Sequence, residues 1–369
     1  MILYVHIPFC HRICPYCSFY KHTPGNTDLR AFIAAITDEA QWQRQSLEQH
    51  KATLGTITSL YLGGGTPSML SPRHLDLLFG GLNEAFDLSQ THITLEANPA
   101  TFNHSKAKRF KELGVTRTSL GIQSFSPHVL QTLGREHSPQ QARESVHILR
   151  DAGMEEINID LMFSVPGQSE EDWQHSLDTA IGLEPDHISA YNLTYEEDTE
   201  FIQRLTHGEF RDDEATNAEY YSLADRSLSD AGFLHYETSN YAQPGKESQH
   251  NRSYWLGHDY LGLGPSAVST IQGRRWQNLP DTARYIQNIT SVGHAMADSE
   301  TIDEEAYRIE RIALLLRTRE GVPVKYLQHS PAGSVQELLD NRLAEIDNHH
   351  LRLIHEGPML VDPIAAKLI

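Results

Sequence analysis

Short apolar runs alternate with helical patterns through the first half of the chain, and this alternation constrains the fold most strongly. Six runs read as strands, at residues 2–7, 59–62, 93–95, 118–122, 157–162 and 187–191. Between them lie patterns with the spacing of one helix face, beginning with Leu29, Phe32, Ile33 and Ile36. This order predicts an α/β protein with a parallel sheet and right-handed crossovers. Six units favour a partial (β/α)6 barrel, with a flavodoxin-like open sheet as the alternative.

The alternation ends near residue 212, where a different pattern begins. A helix is predicted over 214–231, an aromatic and polar stretch over 235–255, a Gly-rich segment over 257–264 and a helix over 304–317. Residues 335–369 read as a helix, a turn and a short hairpin at 351–361, which is similar to a small winged-helix-like α+β domain. We therefore predict a (β/α) core at 1–211, an extension at 212–295 and a C-terminal domain at 296–369.

Charge and hydropathy limit the possible partners. Thirty Lys and Arg residues stand against 49 Asp and Glu residues, for a formal net charge of −19. Such a field repels nucleic acid and anionic lipid, so neither is expected as a partner. The longest apolar runs, such as 312–316, are far shorter than a membrane span, and the N-terminus lacks the basic region of a signal peptide. These features predict a cytoplasmic protein.

Three cysteines, Cys10, Cys14 and Cys17, are the only ones in the chain and lie within eight residues after the first predicted strand. Thiolates bind soft metals, and one loop can place three of them around a face of an iron–sulfur cube. Three ligands for four irons leave one iron open, and the chain has no fourth cysteine to close it. The spacing therefore predicts a [4Fe–4S] cluster with an open iron. A zinc site completed by His6 or His11 is the alternative.

Polar residues follow several of the predicted strands, where barrel-like folds gather their chemistry. A Gly63-Gly64-Gly65-Thr66-Pro67 segment allows a ligand to approach the backbone closely. The side chains of Glu96, Gln123 and Asp160 each stand at the end of a strand. Three polar residues at equivalent positions predict a binding site at this end of the sheet.

The Cys-x3-Cys-x2-Cys motif after a first strand resembles the signature of the radical S-adenosylmethionine (SAM) superfamily. The resemblance implies that the open iron is chelated by the amino and carboxylate groups of SAM. Further matching segments resemble the oxygen-independent coproporphyrinogen oxidase branch. In that branch, the residues at the matching positions contact SAM. Together with Tyr16 of the cysteine motif, they are the candidate SAM residues of this chain: Tyr4, Tyr16, Gly64, Gly65, Thr66, Glu96, Gln123, Arg135 and Asp160. A guanidinium such as that of Arg135 suits the SAM carboxylate, whereas Tyr4 could equally be a core aromatic residue.

Two features separate this chain from the oxidase. Phe19 stands where the oxidase carries a further cysteine, and Cys10 comes almost at once, without the extension that helps to cover the oxidase's substrate. The segment 250–255 instead resembles the His-Asn-x-x-Tyr-Trp motif of HemW-type haem chaperones. An imidazole can ligate haem iron, and aromatic rings offer flat faces to a porphyrin. The candidate haem residues are His250, Asn251, Tyr254 and Trp255.

Two functions of different classes therefore remain. The first is a haem chaperone that holds a cluster and SAM, carries haem as cargo and delivers it to respiratory proteins, membrane-associated recipients included. The second is a coproporphyrinogen III oxidase. Phe19 and the 250–255 motif favour the chaperone. The sequence leaves open whether SAM is cleaved and whether the chain forms a homodimer.

The cluster hypothesis predicts the outcome of one substitution. Cys14→Ser should remove the visible absorbance of the anaerobically reconstituted protein and its electron paramagnetic resonance signal after reduction, because three thiolates are the smallest set that holds this cluster. Iron and sulfide analysis of the variant checks the result. A full complement of both in Cys14→Ser would contradict the hypothesis.

Overall fold

Six parallel strands lie side by side in chain order at the centre of the structure, a computed structural model that describes residues 1–49 and 56–369. Each strand pairs in parallel with its neighbour in sequence, as expected when helical crossovers connect them. The order does not reverse within these six, which excludes the flavodoxin-like alternative and confirms the partial (β/α)6 barrel. The strands are β1 (Ile2–Ile7), β2 (Ser59–Gly64), β3 (His92–Ala97), β4 (Arg117–Gln123), β5 (Glu156–Phe163) and β6 (His187–Asn192).

Helices follow the strands, and most of them bury one apolar face against the sheet, whereas Val129 and Phe201 of the short α4 and α7 belong to a separate apolar cluster. In α1, for example, Phe32, Ile33, Ile36 and Ala40 are buried at helical spacing. Several helices begin at a capping Ser, and those at Ser138 and Ser169 form complete capping boxes. The helices are α1 (Leu29–Gln49), α2 (Pro72–Ala85), α3 (His104–Glu112), α4 (Pro127–Thr132), α5 (Pro139–Asp151), α6 (Glu170–Gly182) and α7 (Glu200–Thr206).

The two faces of the parallel strands differ in chemistry. On β2, Leu60 and Leu62 are fully buried among the helices, while the alternate Ser59 and Tyr61 face the interior of the barrel. The same alternation places a polar residue on the interior face of the other strands. Backbone register then sets Tyr61 beside Thr94 and Ser119 beside Asn158. The barrel interior is therefore polar, and its side chains must find partners among themselves.

The extension predicted at 212–295 flanks the barrel on both sides. β8 pairs with β6 and β9 pairs with β1, so both edges of the six-stranded unit are covered within a sheet of twelve strands. β12 pairs with β11, so the strand that opens the predicted C-terminal domain belongs to this large sheet. The elements are α8 (Glu214–Asp230), β7 (Leu234–Glu237), β8 (Asn240–Ala242), α9 (Gln249–Trp255), β9 (Tyr260–Leu263), β10 (Val268–Ile271), β11 (Arg274–Asn278), α10 (Thr282–Val292) and β12 (Met296–Thr301).

A second apolar core lies in the C-terminal segment, among residues such as Ile312, Val322, Leu351 and Leu368. It is built from helices and a three-stranded antiparallel sheet of order β13-β15-β14. The likeness to a winged helix stays a prediction. The elements are α11 (Glu304–Leu315), β13 (Val322–Pro323), α12 (Ser334–Asp340), β14 (Ala344–Asp347), β15 (His350–Leu353) and α13 (Val361–Leu368).

The hairpin predicted at 351–361 was placed wrongly. The hairpin is formed by β14 and β15, and Asn348 and His349 make its turn with φ angles of 48° and 64°. Positive φ at both turn residues matches the twist of a tight hairpin, and Asn accepts that conformation readily. The following segment is helical instead, because Val361, Ile364, Ala365 and Leu368 bury one face of α13.

One buried carboxylate fastens the extension to the barrel. Glu39 of α1 is fully buried and accepts hydrogen bonds from the Gly264 amide at 2.9 Å, the Asn278 amide group at 2.7 Å and the Tyr285 hydroxyl at 2.6 Å. Burial raises the pKa of Glu39 to about 7, although these three bonds lower it.

Among the described residues, no helix is long and apolar enough to cross a bilayer.

This contact predicts a loss of stability. Tyr285→Phe should lower the free energy of unfolding by about 1.5–3 kcal/mol, because it removes a hydrogen bond from a buried carboxylate. Urea unfolding measures the change. The matched control is Tyr307→Phe on α11, where the side chain is 44% exposed and less than about 0.5 kcal/mol is expected. Equal stabilities for both variants would contradict the proposed anchoring by Glu39.

Candidate functional site

A cavity of about 420 Å³ opens at the carboxyl ends of the parallel strands, under the cysteine loop. Small-molecule sites usually enclose about 300–1,000 Å³, so the space suits a ligand of cofactor size. The three cysteines line it together with eight of the nine predicted SAM residues: Tyr16, Gly64, Gly65, Thr66, Glu96, Gln123, Arg135 and Asp160. The sequence-based prediction therefore identified residues that do converge.

The cysteine loop is closed onto the end of β1 by its own backbone. The amide of Cys10 donates to the carbonyl of His22 at 3.0 Å, and the amide of His22 donates to that of Pro8 at 2.8 Å. The three thiols are half-buried and unlinked. Burial raises the pKa of Cys10 and of Cys17. Metal binding would have to offset that burial by stabilising the thiolates.

Two protein groups reach the thiols from outside the loop. The Thr66 hydroxyl donates to the Cys10 sulfur at 3.7 Å, and the Arg135 guanidinium donates to the Cys14 sulfur at 3.6 Å. In the part of the chain that the structure describes, no three His, Cys, Asp or Glu side chains lie close enough for a single metal ion.

The glycine segment is required by close packing. A Cβ at Gly65 would lie 2.7 Å from the carbonyl oxygen of Phe9, and a Cβ at Gly64 would lie 2.6 Å from the His6 ring. Gly64 also has a φ of 109°, which favours glycine. These contacts bring the end of β2 against the start of the cysteine loop, with Thr66 donating its amide to Phe9 at 2.8 Å.

Two half-buried carboxylates form the acidic floor of the cavity. Glu96 accepts from the Tyr61 hydroxyl at 2.8 Å and from the Gly64 amide at 3.2 Å. Burial raises the pKa of Glu96 to about 7, and these hydrogen bonds oppose the rise. Asp160 accepts from Asn158 at 2.7 Å and from Ser119 at 3.1 Å, and burial raises its pKa as well. A ligand with amino or hydroxyl donors would satisfy their remaining lone pairs.

Two other residues that line the cavity, Gln123 and Arg135, have buried polar atoms that a ligand could satisfy. The side-chain oxygen of Gln123 and the Nε of Arg135 are buried and have no hydrogen-bond partner among the described residues. Gln123 is held at a positive φ of 71°, and the Arg135 guanidinium donates to the Gly121 carbonyl at 2.5 Å. A buried cation suits a carboxylate ligand. The donor set therefore fits the amino acid part of SAM, and the three thiols fit a cluster.

Tyr4 is the one predicted SAM residue that does not line the cavity. Its ring instead stacks on Tyr61, with centroids 6.2 Å apart, and its hydroxyl lies 3.0 Å from Nδ1 of His6. Tyr61, Ser119 and Asn158 were missed by the sequence analysis although they hold the two carboxylates. Their only signal is position, because Tyr61 and Asn158 each stand two residues before a position already singled out, Gly63 and Asp160. The expectation that Asp160 ends its strand is wrong, because β5 continues to Phe163.

The predicted haem motif lies elsewhere, on α9. None of His250, Asn251, Tyr254 and Trp255 lines the cavity. His250 is 2% exposed, and its Nδ1 lies 2.8 Å from the hydroxyl of Ser59, the first residue of β2. Because the cavity is at the other end of β2, α9 packs at the amino-terminal end of the barrel. Nε2 of His250 is buried and has no hydrogen-bond partner among the described residues, and its role as a haem ligand stays a prediction.

Comparison with known proteins shows the family of this chain. The profile of the radical SAM superfamily matches residues 4–180. Proteins named heme chaperone HemW are 33% identical over 372 residues in Mycobacterium tuberculosis, covering 100% of this chain and 94% of the relative, and 33% identical over 350 residues in Lactococcus lactis, covering 94% and 89%. The chain belongs to the HemW family of radical SAM proteins.

This HemW-family chain also resembles more distant proteins. The mitochondrial radical S-adenosyl methionine domain-containing protein 1 of Danio rerio is 32% identical over 391 residues, covering 100% of this chain and 86% of the relative. The solved structure of coproporphyrinogen III oxidase from Escherichia coli, described as a radical SAM enzyme, covers 100% of this chain and 89% of its own, with a TM-score of 0.82 at 21% identity. At that identity the likeness shows the fold alone.

The acidic floor predicts a pH dependence of ligand binding. SAM affinity of the reconstituted protein should rise between about pH 6 and about pH 8, because Glu96, with a pKa of about 7, must lose its proton to accept from an amino group. Calorimetry across this range measures it. Glu96→Gln should bind SAM more weakly and with a flatter pH profile. Identical profiles for the two proteins would contradict this role of Glu96.

Proposed function

We propose that this protein binds haem and delivers it to haem proteins, and that a [4Fe–4S] cluster and SAM occupy the cavity under the cysteine loop. The observation that carries the proposal is the full-length similarity to several proteins named heme chaperone HemW. Haem would be cargo rather than a resident cofactor. Respiratory haem proteins are the proposed recipients, membrane-associated ones included, and a homodimer stays open.

The residues of the cavity support the cofactor assignment. Cys10, Cys14 and Cys17 would hold the cluster, and Arg135 would receive the carboxylate of SAM. Glu96 would accept from its amino group on the other side. A SAM-bound cluster supplies one-electron reduction chemistry at the open iron. The chain's own contribution is to orient the cofactor between an anionic floor and a cationic wall.

The oxidase alternative has less support. Its structural likeness concerns the fold, and this chain has Phe19 at the position of the oxidase's additional cysteine. Phe19 is 68% exposed beside the cavity, and Ile13 of the same loop is 48% exposed. An exposed aromatic ring cannot donate a thiol to the chemistry, but it offers apolar surface to a flat ligand.

The four residues proposed for haem differ in exposure. Asn251, Tyr254 and Trp255 are half-buried on α9, whereas His250 is enclosed. Burial, with a smaller contribution from His92, lowers the pKa of His250 to about 3, so the ring is neutral. Its Nδ1 is bonded to Ser59, so only Nε2 could ligate iron, and this nitrogen would have to become accessible because it is buried. In the enclosed position, His250→Ala should leave the Soret maximum of bound haem unchanged.

The proposed function predicts binding without turnover. The reconstituted protein should bind about one haem per chain and transfer it to an apo-haemoprotein, and it should not convert coproporphyrinogen when SAM and a reductant are present. Absorbance titration and product analysis on the same sample check both. Cys10→Ser should still bind haem, because the cysteine loop and α9 lie at opposite ends of the barrel. Absence of haem binding, or steady porphyrinogen turnover, would overturn the proposal.

A further inference from the structure

Three rings are stacked through the barrel interior and connect the haem motif with the cavity. Tyr61 lies in the middle, with its ring centroid 6.2 Å from Tyr4 and 4.9 Å from His250, at interplanar angles of 26° and 28°. Both neighbouring rings therefore stack on Tyr61. Tyr254 of α9 packs edge-on against the His250 ring, with the two ring centroids 5.0 Å apart. A ring packed in this way has little freedom to tilt or slide.

Tyr61, the middle ring of this stack, also binds a carboxylate of the cavity through its hydroxyl group. The Tyr61 hydroxyl donates to one oxygen of Glu96 at 2.8 Å, while the Gly64 amide donates to the other at 3.2 Å. Two donors on two oxygens fix the plane of the carboxylate. Glu96 also lines the cavity, where its carboxylate can accept further hydrogen bonds from a ligand. The position of the Tyr61 ring thus sets the direction in which Glu96 can accept from a ligand.

A second line of hydrogen bonds runs from the cavity to the same helix. Asn158 donates to Asp160 at 2.7 Å and accepts from Nδ1 of His187 at 2.6 Å. The other ring nitrogen of His187 lies 2.8 Å from the Tyr236 hydroxyl, which accepts from the amide of Ser248 at 3.2 Å. Ser248 caps the N-terminus of α9. Both cavity carboxylates are therefore connected to α9.

We infer that Tyr61 and His250 are positioning residues of the SAM site, in which His250 fixes Tyr61 and Tyr61 fixes Glu96. The inference rests on the SAM site proposed above. It gives the histidine of the haem motif a role at the end of the barrel opposite to its own helix. The role needs the imidazole as a packed ring with one hydrogen bond to Ser59, which is how the structure holds it.

The test is a double-mutant cycle on SAM affinity, measured by calorimetry on the anaerobically reconstituted protein. Tyr61→Phe keeps the stacked ring and removes only the hydroxyl, so it should weaken SAM binding about tenfold, because Glu96 loses one of the two donors that orient it toward the ligand. In the Glu96→Gln background the same substitution should change the affinity by less than about twofold, because the group through which it acts is already altered.

His250 is tested in the same way with a ring-retaining partner. His250→Ala should weaken SAM binding several-fold, and His250→Phe should restore most of the affinity because it covers Tyr61 again. Arg252→Ala is the matched control on α9, since Arg252 pairs with Glu320 of another segment and should leave SAM affinity unchanged. Iron content and circular dichroism confirm that each variant folds and carries its cluster.

The possible results separate the inference from the proposals on which it rests. Unchanged SAM affinity in Tyr61→Phe, with weakened binding in Glu96→Gln, would overturn the positioning role alone. Unchanged affinity in Glu96→Gln would overturn both this role and the assignment of Glu96 to SAM. Equal, additive losses from Tyr61→Phe in both backgrounds would also overturn it, because the effect would not pass through Glu96. Haem titration of the same variants tests the haem proposal independently.

Discussion

Polar side chains inside the barrel have to be paired with one another, because the sheet and its helices separate them from solvent. The register of the parallel strands places Ser119 next to Asn158 and Asn158 next to His187, so the pairing is fixed by the backbone. An unpaired donor or acceptor in this space would cost about 1–3 kcal/mol. The result is a continuous set of hydrogen bonds from the cavity floor to the amino-terminal end of the barrel. Within the cavity, this pairing is incomplete at Gln123 and Arg135, and at the base of the barrel it is incomplete at Nε2 of His250, among the described residues.

Much of the architecture could be predicted from the sequence because it depends on local pattern. The parallel strands are apolar on the side that faces the helices. All six could be recognised from the spacing of their apolar residues and from the turn residues that follow them. The cysteines and the strand ends were equally accessible, since parallel strands bring their carboxyl ends to one edge. Eight predicted SAM residues meet in one cavity for that reason. Tyr4 was placed correctly on β1, but its contact with Tyr61 instead of the cavity depends on packing across strands.

The features that escaped prediction depend on distant contacts. Nothing local in residues 249–255 indicates that this seven-residue helix closes the barrel, because the contact of His250 with Ser59 spans 191 positions. The same holds for Glu39, whose partners lie more than 220 residues away. The misplaced hairpin has a different cause. Asn348 and His349 form a turn without glycine, so the usual turn signal was absent.

The arrangement of α9 changes how its motif is understood. A histidine, an asparagine and two aromatic residues resemble a haem-binding surface when they are read along the chain. In the folded protein the histidine faces inward, against the ring that holds Glu96. The motif therefore occupies a position from which a change at the base of the barrel could reach the cavity carboxylates. Such a connection would relate the two ligands of one chain physically, through packed rings and hydrogen bonds.

The central claim is that SAM binds to the open iron of a cluster held by Cys10, Cys14 and Cys17. The most direct measurement is electron–nuclear double resonance on the reduced, reconstituted protein with SAM labelled with ¹⁵N at the amino group. The account predicts a hyperfine coupling from the labelled nitrogen to the cluster. A cluster spectrum that SAM leaves unchanged, with no nitrogen coupling, would contradict the account.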